Sequence, residues 1–166
     1  MKRFILILII FINTFSISFS QKVQNPFYNI MLKSLLSHTV REVTVSQLEK
    51  SNDVILLDSR EKKEYDVSHL KNSIWVGYSD FNLERLKGID KSSKIVVYCS
   101  VGYRSEKISE KLLSNNYTNV SNLYGGIFEW VNNNSPIYDL NNKSTKKIHA
   151  YDHIWGLWLK KGEKIF

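Results

Sequence analysis

Cys99 is the only cysteine of the chain, and it stands between a predicted strand and a predicted helix. Ile95 to Tyr98 form a continuous β-branched and aromatic run, which is typical of a strand buried on both faces of an α/β sheet. Residues 105–113 then carry apolar residues at helical spacing. The N-terminus of a helix and a nearby arginine favour the thiolate form of cysteine. The pattern predicts a reactive thiol, with an inert buried cysteine as the alternative.

Short predicted strands alternate with short predicted helices along the middle of the chain. Ser46 is predicted as the N-cap of the helix after the first strand. Polar Asp58 and Arg60 follow the second strand, and Gly125 and Gly126 form a tight connection after the last. This alternation predicts an α/β fold with a mostly parallel sheet covered by helices on both faces. The predicted strands are residues 43–45, 54–57, 74–76, 95–98 and 120–123.

Three segments resemble the rhodanese family of sulfurtransferases, in the order in which that family has them. Residues 54–65 resemble its strand with D-x-R and E-Y, residues 99–105 (C-S-V-G-Y-R-S) its C-x-x-G-x-R-S loop, and residues 123–130 (L-Y-G-G-I-F-E-W) its L-x-G-G-x-x-x-W segment. Three motifs in order are far more specific than one. The chain departs from the family at residues 68–73, S-H-L-K-N-S, where G-H-I-P-G-A is usual. The resemblance implies a rhodanese-like domain over residues 42–138, with a five-stranded, mostly parallel sheet.

The resemblance also implies sulfur transfer, with Cys99 as the nucleophile. Its thiolate would take a sulfane sulfur from thiosulfate or a persulfide donor and hold it as a persulfide until a thiol or cyanide accepts it. Gly102 permits the loop to curl, so that backbone N–H groups converge on the sulfur. Arg104 would bind donor oxygens, or else form a structural ion pair. The implied substrate-binding residues are Ser100, Val101, Gly102, Tyr103, Arg104 and Ser105.

Asp58 and Arg60 are predicted to support the loop rather than to react. A carboxylate at a strand end can accept hydrogen bonds from loop N–H groups, and Arg60 with Glu64 has the i, i+4 spacing of a helical ion pair. His69 is predicted to be a core or turn residue. His149 and His153 also have helical spacing, but no third ligand pattern accompanies them. We therefore expect neither a metal site nor a cofactor.

Two other functions have to be weighed against sulfur transfer. Cysteine phosphatases and arsenate reductases resemble a Cys-x5-Arg pattern, whereas here four residues separate Cys99 from Arg104. The shorter loop suits a sulfur atom on the cysteine better than a tetrahedral phosphoryl group. A rhodanese-like module that only carries sulfur or binds a partner is the second alternative, although such a loop would typically lack the cysteine.

The two ends of the chain differ from its middle. Residues 1–20 have the layout of a secretory signal peptide, with a basic start, an apolar run at 4–12 and small polar residues up to Ser20. We expect cleavage there and export to a periplasm or the exterior; an uncleaved membrane anchor is the alternative. Residues 21–41 are predicted to be a helical extension. Residues 139–166 are predicted to be a tail whose many aromatic residues pack on the domain.

The charge of the chain limits the choice of partners. The formal net charge is +7, but the lysines are scattered and no helix-turn-helix or RNA-binding pattern is present. We therefore expect no nucleic-acid partner. The expected partners are a small sulfur donor and a thiol acceptor, with a redox protein where an oxidising compartment would otherwise block Cys99.

Overall fold

A five-stranded sheet with parallel neighbours throughout forms the centre of the computed structural model, which describes residues 22–166. The predicted signal peptide at residues 1–20 lies outside the described residues. The strand order is β1-β5-β4-β2-β3, and the predicted α/β fold with a parallel sheet is confirmed. The strands are β1 (Arg41–Val43), β2 (Ile55–Asp58), β3 (Ile74–Trp75), β4 (Ile95–Tyr98) and β5 (Val120–Leu123).

Helices cover both faces of the sheet because both faces are apolar. In β4, Val96 and Tyr98 belong to one buried cluster, whereas Ile95 and Val97 belong to the other. α4 packs on the second cluster, and α1, α2 and α5 pack on the first. The α-helices of the described part are α1 (Pro26–Leu35), α2 (Val45–Glu49), α3 (Lys62–Val67), α4 (Tyr103–Ser114) and α5 (Gly126–Asn132). None of these helices is long and apolar enough to cross a membrane.

The first strand-to-helix connection lies earlier than predicted. β1 ends at Val43, and Thr44 is the N-cap of α2. The Thr44 hydroxyl accepts a hydrogen bond from the backbone N–H of Gln47, and the Gln47 side chain accepts one from the N–H of Thr44. This reciprocal capping box starts the helix before Ser46. The prediction of Ser46 as the N-cap was wrong.

α1 lies within the predicted helical extension at residues 21–41. Asn25 caps it, with Pro26 at its first position. Leu32 is buried, whereas Phe27 is 73% exposed. Tyr28 fixes the helix to two distant parts of the chain: its hydroxyl donates to the carbonyl of Gly125 at 2.8 Å, and its ring stacks on Trp158 with 5.3 Å between ring centres.

The C-terminal tail lies against the same face of the sheet as α1 and α5. Ile148, Ala150 and Leu159 are fully buried in the cluster shared with those helices. The tail contains a 3₁₀ helix at Trp155–Trp158, one small two-stranded sheet, and one strand of a second small sheet that it forms with residues 137–138. The strands are β6 (Ile137–Tyr138) with β7 (Ser144–Thr145), antiparallel, and β8 (Lys147–His149) with β9 (Glu163–Ile165), parallel.

Candidate active site

Cys99 follows directly after β4, at the carboxyl edge of the sheet. Its side chain is 1% exposed, and the backbone N–H of Gly102 donates to its Sγ at 3.1 Å. Gly102 is also the N-cap of α4, with φ 120°, so the helix begins at Tyr103 rather than at residue 105. A left-handed φ of this kind is accessible mainly to glycine. The start of α4 therefore directs an N–H group at the sulfur, where it stabilises negative charge.

The N-terminus of α5 holds the other side of the loop. The N–H of Ile127 donates to the carbonyl of Cys99 at 2.9 Å, and that of Phe128 donates to the carbonyl of Ser100 at 3.1 Å. Gly126 permits this approach, since a Cβ at that position would lie 2.4 Å from the carbonyl oxygen of Cys99. Two carbonyl oxygens that would repel an anion on Cys99 are thus engaged by α5.

Glu64 and Arg104 form a buried ion pair beneath the loop. Nη1 and Nη2 of Arg104 donate to the two carboxylate oxygens of Glu64 at 2.6 and 2.8 Å, and the Ser100 hydroxyl donates to the same carboxylate at 3.0 Å. Burial opposes ionisation of Glu64, but the hydrogen bonds and charge of Arg104 outweigh it and lower the pKa of Glu64 to about 2. Both terminal nitrogens of the Arg104 guanidinium group are therefore occupied by Glu64. The binding of donor oxygens by Arg104 stays a prediction.

Asp58 and Arg60 form a second ion pair, fully buried at the end of β2. The Asp58 carboxylate accepts from Nε and Nη2 of Arg60, at 2.6 Å for the shorter contact, and from the Arg60 backbone N–H. Nη2 also donates to the carbonyl of Ser68. The predicted Arg60–Glu64 pair was wrong, because the nearest carboxylate to Arg60 in space is Asp58. Asp58 and Arg60 thus contact each other and the backbone, as supporting residues would.

Asn122 contributes to the site although the sequence reasoning did not include it. It lies in β5, and its side-chain N–H donates to the carbonyl of Gly102 at 3.0 Å. Its Oδ1 accepts from the hydroxyl of Ser105 at 2.7 Å. These contacts fix the end of the loop to the neighbouring strand. An asparagine inside a predicted buried strand was the available signal, since asparagine is depleted in strands.

The three histidines singled out in the sequence, His69, His149 and His153, each contact a different residue. His69 is buried, forms an isolated antiparallel bridge with Tyr138, and stacks on Tyr65 with 4.1 Å between ring centres, which agrees with the predicted core position. His149 ends β8, accepts from the N–H of Tyr151, and has its pKa lowered by burial. His153 lies in the following turn and not with His149 on one helix. Among residues 22–166, no group of three His, Cys, Asp or Glu side chains is placed to hold a metal ion.

A cleft of about 360 Å³ opens beside Cys99. One wall is the loop, through Ser100, Val101, Tyr103 and Arg104, whereas Gly102 and Ser105 build the loop from behind. The opposite walls come from α1, from the segment after β3, and from the C-terminal tail. The residues that line the cleft are Leu35, Glu61, Tyr78, Ser79, Cys99, Ser100, Val101, Tyr103, Arg104, Tyr151 and Trp155.

Comparison with protein families tests the predicted resemblance to the rhodanese family. Residues 42–133, more than half of the chain, match the model of the rhodanese-like domain. The protein belongs to the rhodanese-like family. The family match ends near the predicted boundary at residue 138, so α1 and the whole tail at residues 139–166 lie outside the matched rhodanese-like domain.

Curated relatives share the rhodanese-like domain but are much longer. The tRNA uridine(34) hydroxylase of Hamiltonella defensa is 37% identical over 92 residues, which are 52% of this chain and 26% of that protein. The hydroxylase of the same name from Yersinia enterocolitica is 33% identical over 102 residues, 58% of this chain and 29% of that protein. The chain thus spans less than a third of these relatives.

Solved structures agree with the rhodanese-like fold. A rhodanese-related protein from Thermoplasma volcanium is 30% identical with a TM-score of 0.51, covering 58% of this chain and 96% of that chain. A thiosulfate sulfurtransferase from Pseudomonas aeruginosa has a TM-score of 0.53 at 17% identity, covering 68% of this chain and 22% of that chain. The second likeness concerns the fold alone.

Proposed function

We propose that the protein is a sulfurtransferase that carries a sulfane sulfur as a persulfide on Cys99. The observation that carries this proposal is the hydrogen bond from the Gly102 N–H to Cys99 Sγ, in a loop at the mouth of a cleft. An N–H at this position stabilises a thiolate before transfer and a persulfide after it. The ion pairs around the loop fix its conformation, so that little reorganisation accompanies the reaction.

The reaction has two displacement steps on sulfur. The Cys99 thiolate attacks the outer sulfur of thiosulfate; a new S–S bond forms to Cys99, the old S–S bond breaks, and its electron pair leaves with sulfite. In the second step an acceptor thiolate or cyanide attacks the outer sulfur of the persulfide. The electron pair of the broken S–S bond then returns to Cys99, so the enzyme ends as it began.

Two features of the loop favour this reaction over phosphate or arsenate chemistry. Four residues separate Cys99 from Arg104, which leaves a small cradle. Both ends of the Arg104 guanidinium group donate to Glu64, so its fork is occupied and not free to clamp a tetrahedral oxyanion. The other alternative, a module that only carries sulfur, is distinguished by turnover: it would accept one sulfur atom on Cys99 and would not release thiocyanate repeatedly.

The test is mass spectrometry and a transfer assay on the full chain. Treatment with thiosulfate or a persulfide should add the mass of one sulfur atom, and cyanide should then release thiocyanate over many turnovers. Cys99→Ser should abolish both results, whereas Ser92→Ala, a surface change, should retain them. Equal transfer by the serine variant would refute the proposal. Hydrolysis of an aryl phosphate that is lost in the same variant, without a sulfur adduct, would favour a phosphatase.

A role in tRNA modification is the second candidate, and the names of the relatives support it. The match covers only the rhodanese-like part of those proteins, so hydroxylation of uridine would have to be performed without the rest of their chains. Incubation with unmodified tRNA in air-saturated buffer, in which dioxygen is the oxidant, followed by nucleoside mass spectrometry, tests this candidate. Hydroxylated uridine that depends on Cys99 would favour it over the expectation of no nucleic-acid partner.

We further propose that residues 1–20 direct export, which leaves the enzyme in a periplasm or outside the cell. The layout of this segment supports the proposal. An exported enzyme would not meet tRNA, so localisation also bears on the second candidate. Sequencing the mature N-terminus is the measurement. A start at Gln21 is expected, and an intact Met1 in a membrane fraction would instead indicate an anchor.

A further inference from the structure

The cleft beside Cys99 has one wall that does not come from the rhodanese-like domain. Leu35 lies in α1, and Tyr151 and Trp155 lie in the C-terminal tail, all outside the family match at residues 42–133. Leu35, Tyr151 and Trp155 are together called the aromatic wall, after its two aromatic members. The wall and Cys99 line the same cleft. Whatever enters to reach the sulfur must therefore pass groups that are particular to this chain.

The charge of the cleft is poorly suited to a small dianion. Among the described residues that line it, Arg104 is the only basic one, and Glu64 neutralises it through two hydrogen bonds. Glu61 adds a carboxylate to the lining, where it accepts from the hydroxyl of Ser79 at 2.8 Å. Thiosulfate carries two negative charges and would find no uncompensated cation there. A donor with less charge and more apolar surface fits better.

The aromatic wall is held in place before any ligand arrives. Tyr151 has φ 68°, a left-handed conformation that a bulky residue adopts only when its surroundings impose it. Its N–H donates to His149 Nδ1 at 3.0 Å, and the Arg104 guanidinium carbon lies 5.0 Å from its ring centre. The N–H of Trp155 donates to the carboxylate of Asp152 at 2.8 Å. Because the backbone of both residues is fixed and the Tyr151 ring already lies against Arg104, binding a ligand requires less ordering of the wall.

The size of the cleft agrees with an organic ligand. Its volume of about 360 Å³ falls in the range of roughly 300–1,000 Å³ that is usual for pockets of small organic molecules. Apolar side chains line most of it, with polar groups near the sulfur. Such pockets take up an apolar body and orient a polar end.

We propose that the aromatic wall binds the apolar group R of an organic sulfane-sulfur donor, R–SO₂–S⁻ or R–S–S⁻, and selects such donors over thiosulfate. This inference rests on the proposed sulfur transfer through Cys99. R lies against Tyr151 and Trp155, while the outer sulfur faces Cys99 and the N–H of Gly102. Planar aromatic groups are favoured, since they stack on aromatic side chains.

The transfer balances for either donor. With a thiosulfonate, the Cys99 thiolate bonds to the terminal sulfur, the bond between the two donor sulfurs breaks, and its electron pair leaves with the sulfinate R–SO₂⁻. With an organic persulfide, the same bond breaks and the thiolate R–S⁻ leaves. One negative charge enters with the donor and one departs with the leaving group, so no further reactant is required.

The experiment compares three donors on the full chain: benzenethiosulfonate, methanethiosulfonate and thiosulfate. The first two share the reacting group and differ only in R. The parent should show a higher kcat/KM for the benzene compound than for either of the others. Tyr151→Ala and Trp155→Ala should each lower the ratio of benzene to methane kcat/KM between about threefold and tenfold, the range expected for one aromatic contact.

Two further variants keep the result interpretable. Trp155→Leu retains an apolar side chain of the tail and should still lower the ratio, so a loss there is not attributable to unfolding. Ile154→Ala, 73% exposed beside the wall but not part of the cleft lining, should leave the ratio unchanged. An unchanged ratio in both wall positions, or a parent that prefers thiosulfate, would overturn the inference while sulfur transfer stands. A parent that forms no persulfide with any of the three donors would refute both proposals.

Discussion

Glu64 is the residue that balances charge around the cysteine loop. Its buried carboxylate accepts hydrogen bonds from Arg104, from the Ser100 hydroxyl and from the backbone N–H of Glu61. Each of these contacts joins a different piece of the site: the first turn of α4, the loop itself and the start of α3. Loss of the carboxylate would leave Arg104 buried without a counter-charge, which is costly.

Glu64→Gln should lower the free energy of unfolding at pH 7 by about 3–5 kcal/mol, the usual result of breaking a buried ion pair. Urea unfolding measures this change. Glu110→Gln is the matched control, since Glu110 pairs with Lys107 at the surface and should cost no more than about 1 kcal/mol. Equal effects of the two substitutions would show that the Glu64–Arg104 pair is not buried in solution.

The same pair predicts how stability depends on pH. The pKa of Glu64 is about 2 in the folded protein, below its ordinary value of 4.5, so the unfolded chain binds a proton first as the pH falls. The stabilisation is complete above about pH 4.5 and is lost between there and about pH 2; it amounts to roughly 3 kcal/mol. Urea unfolding at pH 6 and pH 3 should show about 2 kcal/mol of this loss in the parent, because the folded pKa of about 2 lies below the lower pH. The free energy of unfolding of Glu64→Gln should fall by correspondingly less between the same two pH values.

The ion-pair partners of Arg60 and Glu64 could not be predicted from the sequence. Spacing predicted a pair between Arg60 and Glu64, because residues four apart are neighbours on a helix. In the structure Arg60 lies before α3 and turns back to Asp58, and Glu64 is taken by Arg104, 40 residues further along the chain. Local spacing carries no information about such a contact, although it did single out Asp58 and Arg60 as support for the loop.

At the scale of elements, the site depends on how closely α5 approaches the cysteine loop. Gly126 has φ 57°, and a Cβ there would lie 2.4 Å from the carbonyl oxygen of Cys99 and 2.6 Å from that of Ser100. Real contacts of a Cβ with backbone are never so short, so the two segments would have to separate. The hydrogen bonds from Ile127 and Phe128 to the loop carbonyls would then be lost.

Gly126→Ala should therefore destabilise the fold and reduce persulfide formation more than a similar change elsewhere. Gly88→Ala is the control: Gly88 also has a positive φ, 87°, but no atom lies within 4 Å of the place that a Cβ would occupy. Gly88→Ala should lower the free energy of unfolding by about 1–2 kcal/mol, from backbone strain alone. Gly126→Ala should cost more than this and should slow loading of Cys99 by thiosulfate. Similar results for both glycines would contradict a close approach of α5 to the loop.

The elements themselves were largely predictable, because apolar runs and turn residues act locally. Four of the five strands of the sheet fall within or beside a predicted run, but β1 is displaced by the capping box at Thr44. In the turn at residues 68–73, Asn72 stands where the family usually has a glycine and adopts φ 59°, and the Tyr98 hydroxyl accepts from the N–H of Leu70 at 3.1 Å. Asparagine tolerates the left-handed region, which explains how it replaces glycine.

At the scale of the whole molecule, both ends of the described chain converge on one face of the sheet. The ring of Tyr28 in α1 stacks on Trp158 in the tail, and Asn132 of α5 donates to the carbonyl of Trp158 at 2.9 Å. The aromatic content of the tail predicted packing on the domain. It did not predict that Tyr151 and Trp155 would line the cleft, because that placement follows from the path of the tail between β8 and β9.

This convergence predicts that the tail and the rhodanese-like domain unfold together. Ile148→Ala removes a fully buried side chain of β8 and should lower the free energy of unfolding by about 2–5 kcal/mol. Leu157→Ala, at a position that is 63% exposed, should change it by less than about 0.5 kcal/mol. Near-UV circular dichroism reports the packing of the aromatic side chains, including Trp155 and Trp158 of the tail together with Trp75 and Trp130 of the domain, and far-UV circular dichroism reports the helices and the sheet.

The two signals should give one coincident urea transition in the parent and in both variants, and Ile148→Ala should shift both signals by the same amount. Two separated transitions would instead show that the tail docks as a weak unit of its own. The aromatic wall would then be absent from part of the folded population, and selection among sulfur donors would weaken under the same mild conditions that release the tail. Donor selectivity measured at low urea therefore tests the packing of the tail and the role of its aromatic residues at once.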